Sequence, residues 1–424
     1  MRRQDLLINK VDWLVVTIYG VLVLLGWLNI YAASYNPGVS IFSTDINFNS
    51  GRQLIWIGIC LITIMFILVI DFKIYNSTAY FVYGFFILLL VGVLFMRPVS
   101  GASSWFQIGS FKFQPSELTK FATALTLAKF FNDNNPRFDR MKSVGIMLLI
   151  IGTPMALILL QPDAGTALIF GSFVLVLYRE GLNPIILVIG LVAITLVVLT
   201  LLVANDWFLV GGIVLITAAI IIFWGKNMRT RRLIRLIGGA LLIIGIIFSV
   251  DYIVNQVLPP HQQKRIMVLF NPGSDPLGVE YNVTQSKIAI GSGGWFGKGY
   301  LKGTQTSGGY VPEQSTDFIF STIGEEHGWI GSLVLIVLFS VLFLRLLFIS
   351  ERQKSRFARV YGYSVVSIFF FHFMINIGMS IGLFPVIGIP LPFFSYGGSS
   401  LWSFTILIFV LLKIDAHRMQ VFTR

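Results

Sequence analysis

The chain has 424 residues, of which 56% are hydrophobic and only 12% charged. A soluble domain of this size could not hide so much apolar surface in one core, so a water-soluble protein is excluded and long membrane-spanning runs are implied. The net charge of +12 would suit nucleic acid, but the basic residues fall in short loops between apolar runs, a topology signal, so no nucleic-acid partner is expected.

Backbone groups in lipid must bond internally, so each apolar run is expected to be a helix. In chain order the runs lie near 12–33, 53–70, 76–96, 116–131, 143–160, 164–178, 185–204, 208–224, 233–254, 317–349, 361–383 and 400–414. The expected fold is therefore a single all-α polytopic domain over 1–424 with about twelve spans, or ten if the short sixth and eighth runs are re-entrant. The first run follows Arg2, Arg3 and Lys10 and is longer than the apolar core of a signal peptide, so it is read as a retained helix. Cys60, the single cysteine, permits no disulfide within the chain.

With the N-terminus inside, the inner segments hold twenty Lys and Arg residues and the outer segments eight. Both termini are therefore expected in the cytoplasm. Between the ninth and tenth runs lies a long outward loop, 255–316, rich in Gly and polar residues. It also carries Ile266, Leu269, Phe270, Ile288 and Trp295, which argues for a folded loop. No internal repeat of the twelve-helix transporter kind is evident.

Three polar clusters fall on the outer side. The first runs from Gly101 through Trp105 to Gly109 and on from Gln114 to Lys120. Ser116 is expected to cap the fourth helix, with Glu117 in its first turn. Glu117 and Lys120, three apart, share a face and form either a structural ion pair or an acid and base lining a polar cavity. The second cluster is the turn Gln161-Pro-Asp-Ala-Gly165, where Asp163 either caps the sixth helix or pairs with Lys120. The third is the large loop with Arg265, the Asn271-Pro-Gly-Ser-Asp-Pro276 turn, Lys298, Glu313, Asp317 and Glu325. Its Gly-flanked Lys298 and backbone amides could hold a diphosphate, or the glycines could serve only turns. Finally, Pro385 to Ser400 is too rich in Pro and Gly for a helix, so it must be buried in protein, with Asn376 satisfying freed backbone groups. His372 is read as a core histidine, and no metal cluster is expected.

Gly101–Lys120, Gln161–Thr166, Arg265–Gly328 and Asn376–Ser400 together resemble the SEDS family (shape, elongation, division and sporulation proteins), which includes RodA and FtsW. The resemblance covers essentially the whole chain and leans to the RodA branch through Gly303-Thr-Gln-Thr306, Pro312-Glu313 and Thr316–Phe320. It implies a peptidoglycan glycosyltransferase that polymerises lipid II at the outer face of the cytoplasmic membrane. It also implies a class B penicillin-binding protein as transpeptidase partner. Residue by residue, the family's essential loop aspartate matches Asp275, and its outer-loop aromatic matches Trp105. Glu117 and Lys120 match its cavity acid and base, and Asp163 the aspartate of its Gln-Pro-Asp turn. Two departures stand out: family members usually have ten spans, so an extra helix pair is expected within 180–254, and Ser104 stands where many relatives carry a basic residue.

On this reading Asp275 is the general base. Arg265, Lys298 and Lys120 would balance the diphosphate leaving group, with a divalent cation (Mg or Mn) as an optional addition. Rival expectations are a flippase for the lipid-linked precursor and a scaffold that only recruits a penicillin-binding protein.

Overall fold

Every apolar run becomes helix, since within lipid a helix alone satisfies the backbone of one segment. The computed structural model describes residues 10–35, 45, 47–96, 103–108, 111–203, 205–224, 230–258, 260–270 and 278–418. It begins with α1 (Trp13–Ala33), α2 (Asn49–Val69) and α3 (Phe72–Val93). A small antiparallel hairpin of β1 (Phe106–Ile108) and β2 (Phe111–Phe113) follows, with Phe106 opposite Phe113. Then come α4 (Pro115–Asn134), α5 (Met141–Leu159), α6 (Ala164–Phe170) and α7 (Phe173–Arg179). The sixth expected run is thus two short helices, broken at Gly171 and Ser172.

Next are α8 (Pro184–Leu202), α9 (Asp206–Trp224) and α10 (Thr230–Tyr252), which runs into a π-helical turn, Ile253–Val257. The long loop is helical over much of its described length, as α11 (Pro260–Phe270), α12 (Val279–Ser292) and α13 (Thr304–Ser307). The chain closes with α14 (Ile319–Glu351), α15 (Arg356–Ser380) and α16 (Gly398–Ala416).

Among the described residues, ten helices are long and apolar enough to cross a membrane. The chain is an all-α, multi-pass membrane protein. The ten differ from the ten the sequence offered as its alternative: α9 qualifies, whereas α4 and the α6–α7 pair do not. α4 has the length at 20 residues, but its polar side chains lower its hydropathy. Nearly every residue from Pro115 to Phe131 is buried, so its neighbours shield it from lipid.

Two compact units emerge, one of Leu182–Tyr281 and one of the remainder. In the first, α10 packs on both α8 and α9, and almost all of their surface is otherwise open. The region 180–254, where an extra helix pair is expected, forms α8 to α10 and lies almost wholly in this unit.

In the second unit, α15 and α16 are the most deeply buried spans. Lipid tails are as apolar as Leu, so burial from water cannot drive these helices together and close packing must. It does so through edge-on aromatics: Phe393 meets Tyr19 at 5.2 Å, Phe369 at 5.2 Å and Phe404 at 5.9 Å between ring centroids. At one end of this unit, Arg345 binds Asp12 at 2.8 Å, and Arg352 bridges Asp12 and Asp415, joining the ends of α1, α14 and α16. Glu180, just past α7, takes Arg356 at 2.8 Å and Arg359 at 3.0 Å from α15.

Candidate functional site

α4 starts at Pro115, whose fixed φ and missing N–H suit the first helical position. Gln114 is therefore the N-cap residue, and the expectation that Ser116 caps the helix is corrected. Ser116 lies one residue inside, and its Oγ has no hydrogen-bond partner. Glu117 does occupy the first turn, where the dipole favours an acid.

One turn on, Lys120 Nζ lies 2.9 Å from Glu117 Oε2, and both side chains are almost wholly covered. The ammonium also lies 2.8 Å from His372 Nε2 on α15. His372 Nδ1 is 3.1 Å from the Pro390 carbonyl, which can only accept. The proton therefore sits on Nδ1, and Nε2 accepts from Lys120. Lys120 Nζ stands 5.0 Å from the centre of the Phe404 ring, which adds a cation–π contact. His372 is thus part of the site, not merely core. Its partner lies 252 positions away, and the one hint in the sequence was its place one turn before Asn376.

Asn376 performs the role expected of it. Its Nδ2 donates to the carbonyls of Ile389 at 2.7 Å and Asp317 at 2.9 Å, joining the Pro-rich segment to the start of α14. That segment is non-helical as expected up to Gly397, with Gly398–Ser400 opening α16, and Leu391–Ser395 are buried in protein. Ser395 Oγ donates to Thr316 O at 2.6 Å, and Ser403 Oγ to Glu117 O at 2.6 Å. Gly165 permits the α6 turn to reach this segment: a Cβ there would stand 2.2 Å from the Ile387 carbonyl oxygen.

Asp163 caps α6, accepting from Thr166 N at 3.0 Å and Thr166 Oγ1 at 2.8 Å. Its other partner is Gln114 Nε2 at 2.9 Å. The alternative pairing with Lys120 does not form; that ammonium is taken by Glu117 and His372. Burial pushes the Asp163 carboxyl up, outweighing the Thr166 hydrogen bonds that pull it down. Ser104 Oγ reaches the Gln161 carbonyl at 3.4 Å, which sets half-buried Trp105 beside this turn. Trp105, Glu117, Lys120 and Asp163 thus belong to one polar region, together with Gln114 and His372.

A second cluster surrounds Glu325. Its carboxylate accepts from Lys298 Nζ at 2.6 Å and from Gln305 N, Thr306 N and Thr306 Oγ1, each at 2.8 Å. Lys298 Nζ also meets Thr304 Oγ1 at 2.7 Å. The amides of Lys298 and Gly299 go to the carbonyls of Glu325 and Glu326. These amides are therefore not an open diphosphate cradle, as the sequence allowed, and they fasten the loop to α14. Gly328, at φ +63°, breaks α14 here, and the amides of Trp329 and Ile330 turn to Gly294 O and Trp295 O.

Arg265 is half-buried on α11. Asp275 lies outside the described residues. Among those described, no three His, Cys, Asp or Glu side chains gather to hold a metal ion.

A family model described as cell cycle protein (FtsW, RodA, SpoVE) matches residues 12–209 and 183–420. The chain belongs to this SEDS family. The two SEDS matches overlap at 183–209, inside the region expected to carry the extra helix pair. The chain is 31% identical to the peptidoglycan glycosyltransferase RodA of Treponema pallidum, over 97% of this chain and 99% of that one. It is 36% identical to the peptidoglycan glycosyltransferase MrdB of Escherichia coli, over 82% and 80% respectively.

A solved structure described as "Structural coordination of polymerization and crosslinking by a peptidoglycan synthase complex" matches at TM-score 0.70 and 25% identity. That match covers 97% of this chain and 99% of that one. The rod shape determining protein RodA of Thermus thermophilus shares the fold at TM-score 0.62 and 24% identity, over 97% and 98%.

Proposed function

We propose that the chain is a peptidoglycan glycosyltransferase that polymerises lipid II into glycan strands for cell elongation. The observation that carries this reading is the likeness, over 97% of the chain, to a relative named for that activity. The active face is the outer face of the cytoplasmic membrane, with both termini in the cytoplasm, as the twenty-to-eight bias of basic residues favours.

Asp275 acts as the general base. It takes the proton of an acceptor sugar hydroxyl as that oxygen attacks the donor's anomeric carbon, and the bond to undecaprenyl diphosphate breaks. The departing diphosphate needs cations. An ammonium has three donors. Lys298, partly exposed, uses one on Glu325 and one on Thr304 and keeps one for substrate, whereas Lys120, fully covered, spends two on Glu117 and His372 and bears on the substrate through its charge alone. Arg265 is the third cation assigned to the diphosphate, and Trp105 stands beside the Asp163 turn as an apolar wall for substrate. A divalent cation, Mg or Mn, would supply further neutralisation of the diphosphate. A class B penicillin-binding protein is the transpeptidase partner, a pairing supported by the likeness to a synthase complex of polymerization and crosslinking.

Glycan-chain formation from purified lipid II tests the proposal, with wild type compared to Asp275→Ala and Asp275→Asn, with and without a partner transpeptidase. Polymer from the wild type and none from folded variants supports Asp275 as base. Wild-type-like polymer from Asp275→Asn removes that role. No polymer from any form, with partner and divalent metal present, points to a flippase, to be read by lipid scrambling in liposomes.

A further inference from the structure

An ionised carboxylate offers about four lone-pair sites. At Glu325, whose side chain is wholly covered, the neutral donors of one short turn are enough to fill them. Gln305 N, Thr306 N and Thr306 Oγ1 each donate at 2.8 Å, and Thr304 Oγ1 donates at 3.2 Å. Gly303 lets the turn come this close, since a Cβ there would stand 2.4 Å from Thr306 Oγ1 and 2.9 Å from Glu325 Oε2. Lys298 Nζ, at 2.6 Å, is a further donor to a group already supplied. Fastening the loop therefore leaves the lysine unexplained.

The same glutamate grips Lys298 twice. The lysine amide meets Glu325 O at 3.0 Å, and the ammonium meets Glu325 Oε1. Thr304 supplies a third hold. Its hydroxyl hydrogen goes to Glu325 Oε1, which leaves a lone pair to accept from Lys298 Nζ at 2.7 Å. An ammonium has no lone pair, so that direction is the only one open. Two of its three N–H groups are thus committed, and the side chain keeps 26% of its surface open for the third to meet a ligand.

A lysine without such holds is free to change rotamer and loses that freedom on meeting a ligand. Here the loss is taken during folding, so the charge is aimed before substrate arrives. An anion on the open N–H stands about 2.8 Å from the ammonium and, across its tetrahedral angle, roughly 4.4 Å from the carboxylate oxygen. Attraction at the shorter distance exceeds repulsion at the longer one.

We propose that Thr304 is a positioning residue: its hydroxyl, seated on Glu325, aims the remaining N–H of Lys298 at the diphosphate of the lipid-linked substrate. The hydroxyl touches no reacting atom and acts only through the lysine. This role rests on the glycosyltransferase reading and deepens it, naming the group that makes a loop lysine into a diphosphate donor. Negative charge gathers on the diphosphate as the bond to the anomeric carbon breaks. An aimed donor therefore strengthens in the transition state and serves kcat more than KM.

Glu325 also fastens the loop, so the test falls on Thr304, whose side chain is exposed. The full chain in detergent micelles, with a class B penicillin-binding protein and divalent metal present, is assayed for kcat and KM on lipid II. Equilibrium binding of undecaprenyl diphosphate, which carries the full charge of the leaving group, is measured alongside. Thr304→Val keeps the shape and loses the hydroxyl, Thr304→Ser keeps the hydroxyl, and Lys298→Met removes the charge. Thr304→Val should lower kcat about tenfold, the worth of one hydrogen bond to a charged group, and leave KM within about twofold. Binding of undecaprenyl diphosphate should weaken by a like factor. Thr304→Ser should turn over and bind as wild type does, and Thr304→Val added to Lys298→Met should change nothing further. A merely structural hydroxyl would cost the same factor with or without the lysine, and that additive result overturns the proposal. So does a Thr304→Val chain that turns over and binds as wild type does. If Thr304→Val fails to fold, Thr304→Ala takes its place in the same comparison. Binding that depends on Thr304 only when Lys298 is present, with no polymer from the wild type, overturns the glycosyltransferase reading and upholds the positioning role.

Discussion

Breaking the Glu117–Lys120 pair should cost far more than removing it whole. Lys120→Met leaves a carboxylate with almost no access to solvent and no cation, and Glu117→Leu leaves the ammonium with only His372. Removing one partner of a buried pair costs about 3–5 kcal/mol, so the two single changes together sum to roughly 6–10. In the double variant no buried charge is stranded. What remains is His372 Nε2 without its donor, a cost of about 1–3 kcal/mol. The coupling is then about 3 kcal/mol or more, a factor above roughly 100 in the folding equilibrium. Unfolding in mixed micelles titrated with sodium dodecyl sulfate, followed by helical circular dichroism, gives all four corners of the cycle. A double variant that costs the sum of the singles within about 0.5 kcal/mol would refute the argument. It would mean that these charges reach water or other partners.

Glu325→Gln should release the loop without disturbing the spans. The change sets an amide NH2 either against Lys298 and Gln305 N or against Thr306 N, and removes the charge that pairs with Lys298, a loss of about 3–5 kcal/mol at a buried charge pair. Amide exchange of residues 298–307 should accelerate while that of α15 stays slow, and unchanged exchange in the loop would contradict the cradle. Asp163 carries a pH signature. Its folded carboxyl titrates above the unfolded value, so the stability it contributes is fully present at low pH and is lost as pH rises through the folded value. Asp163→Asn should flatten that slope in the same micelle assay, and an unchanged slope would assign it to other groups.

The spans, the non-helical stretch before α16 and the Glu117–Lys120 pair were legible because each depends on local facts: run length, Pro and Gly content, a three-residue spacing. The partnership of Lys120 with His372 was not, because it is made by the packing of α15 against α4 and leaves no trace in spacing. Ser116 misled because Ser beside an acid reads as a cap, while Pro115 starts the helix one residue earlier. Lys298 misled for a related reason. Gly-flanked lysines suggest an anion site, but the anion here is a side chain of the same protein, 27 positions on. The notion of a loop over 255–316 also missed α11 and α12, whose polar faces break the long apolar run that marks a span.

The arginine–aspartate knot at one end of the bundle has a mechanical meaning. Asp12, Arg345, Arg352 and Asp415 bind three helices where they would otherwise be freest to splay, as a cord holds the stems of a bouquet. Helices held this way pivot about the tied end. A small tilt there becomes a displacement of several ångströms about 30 Å away, the length of a twenty-residue span. Whatever breathing admits a large lipid-linked sugar is thereby confined to the opposite end, where Glu117, Lys120 and His372 lie.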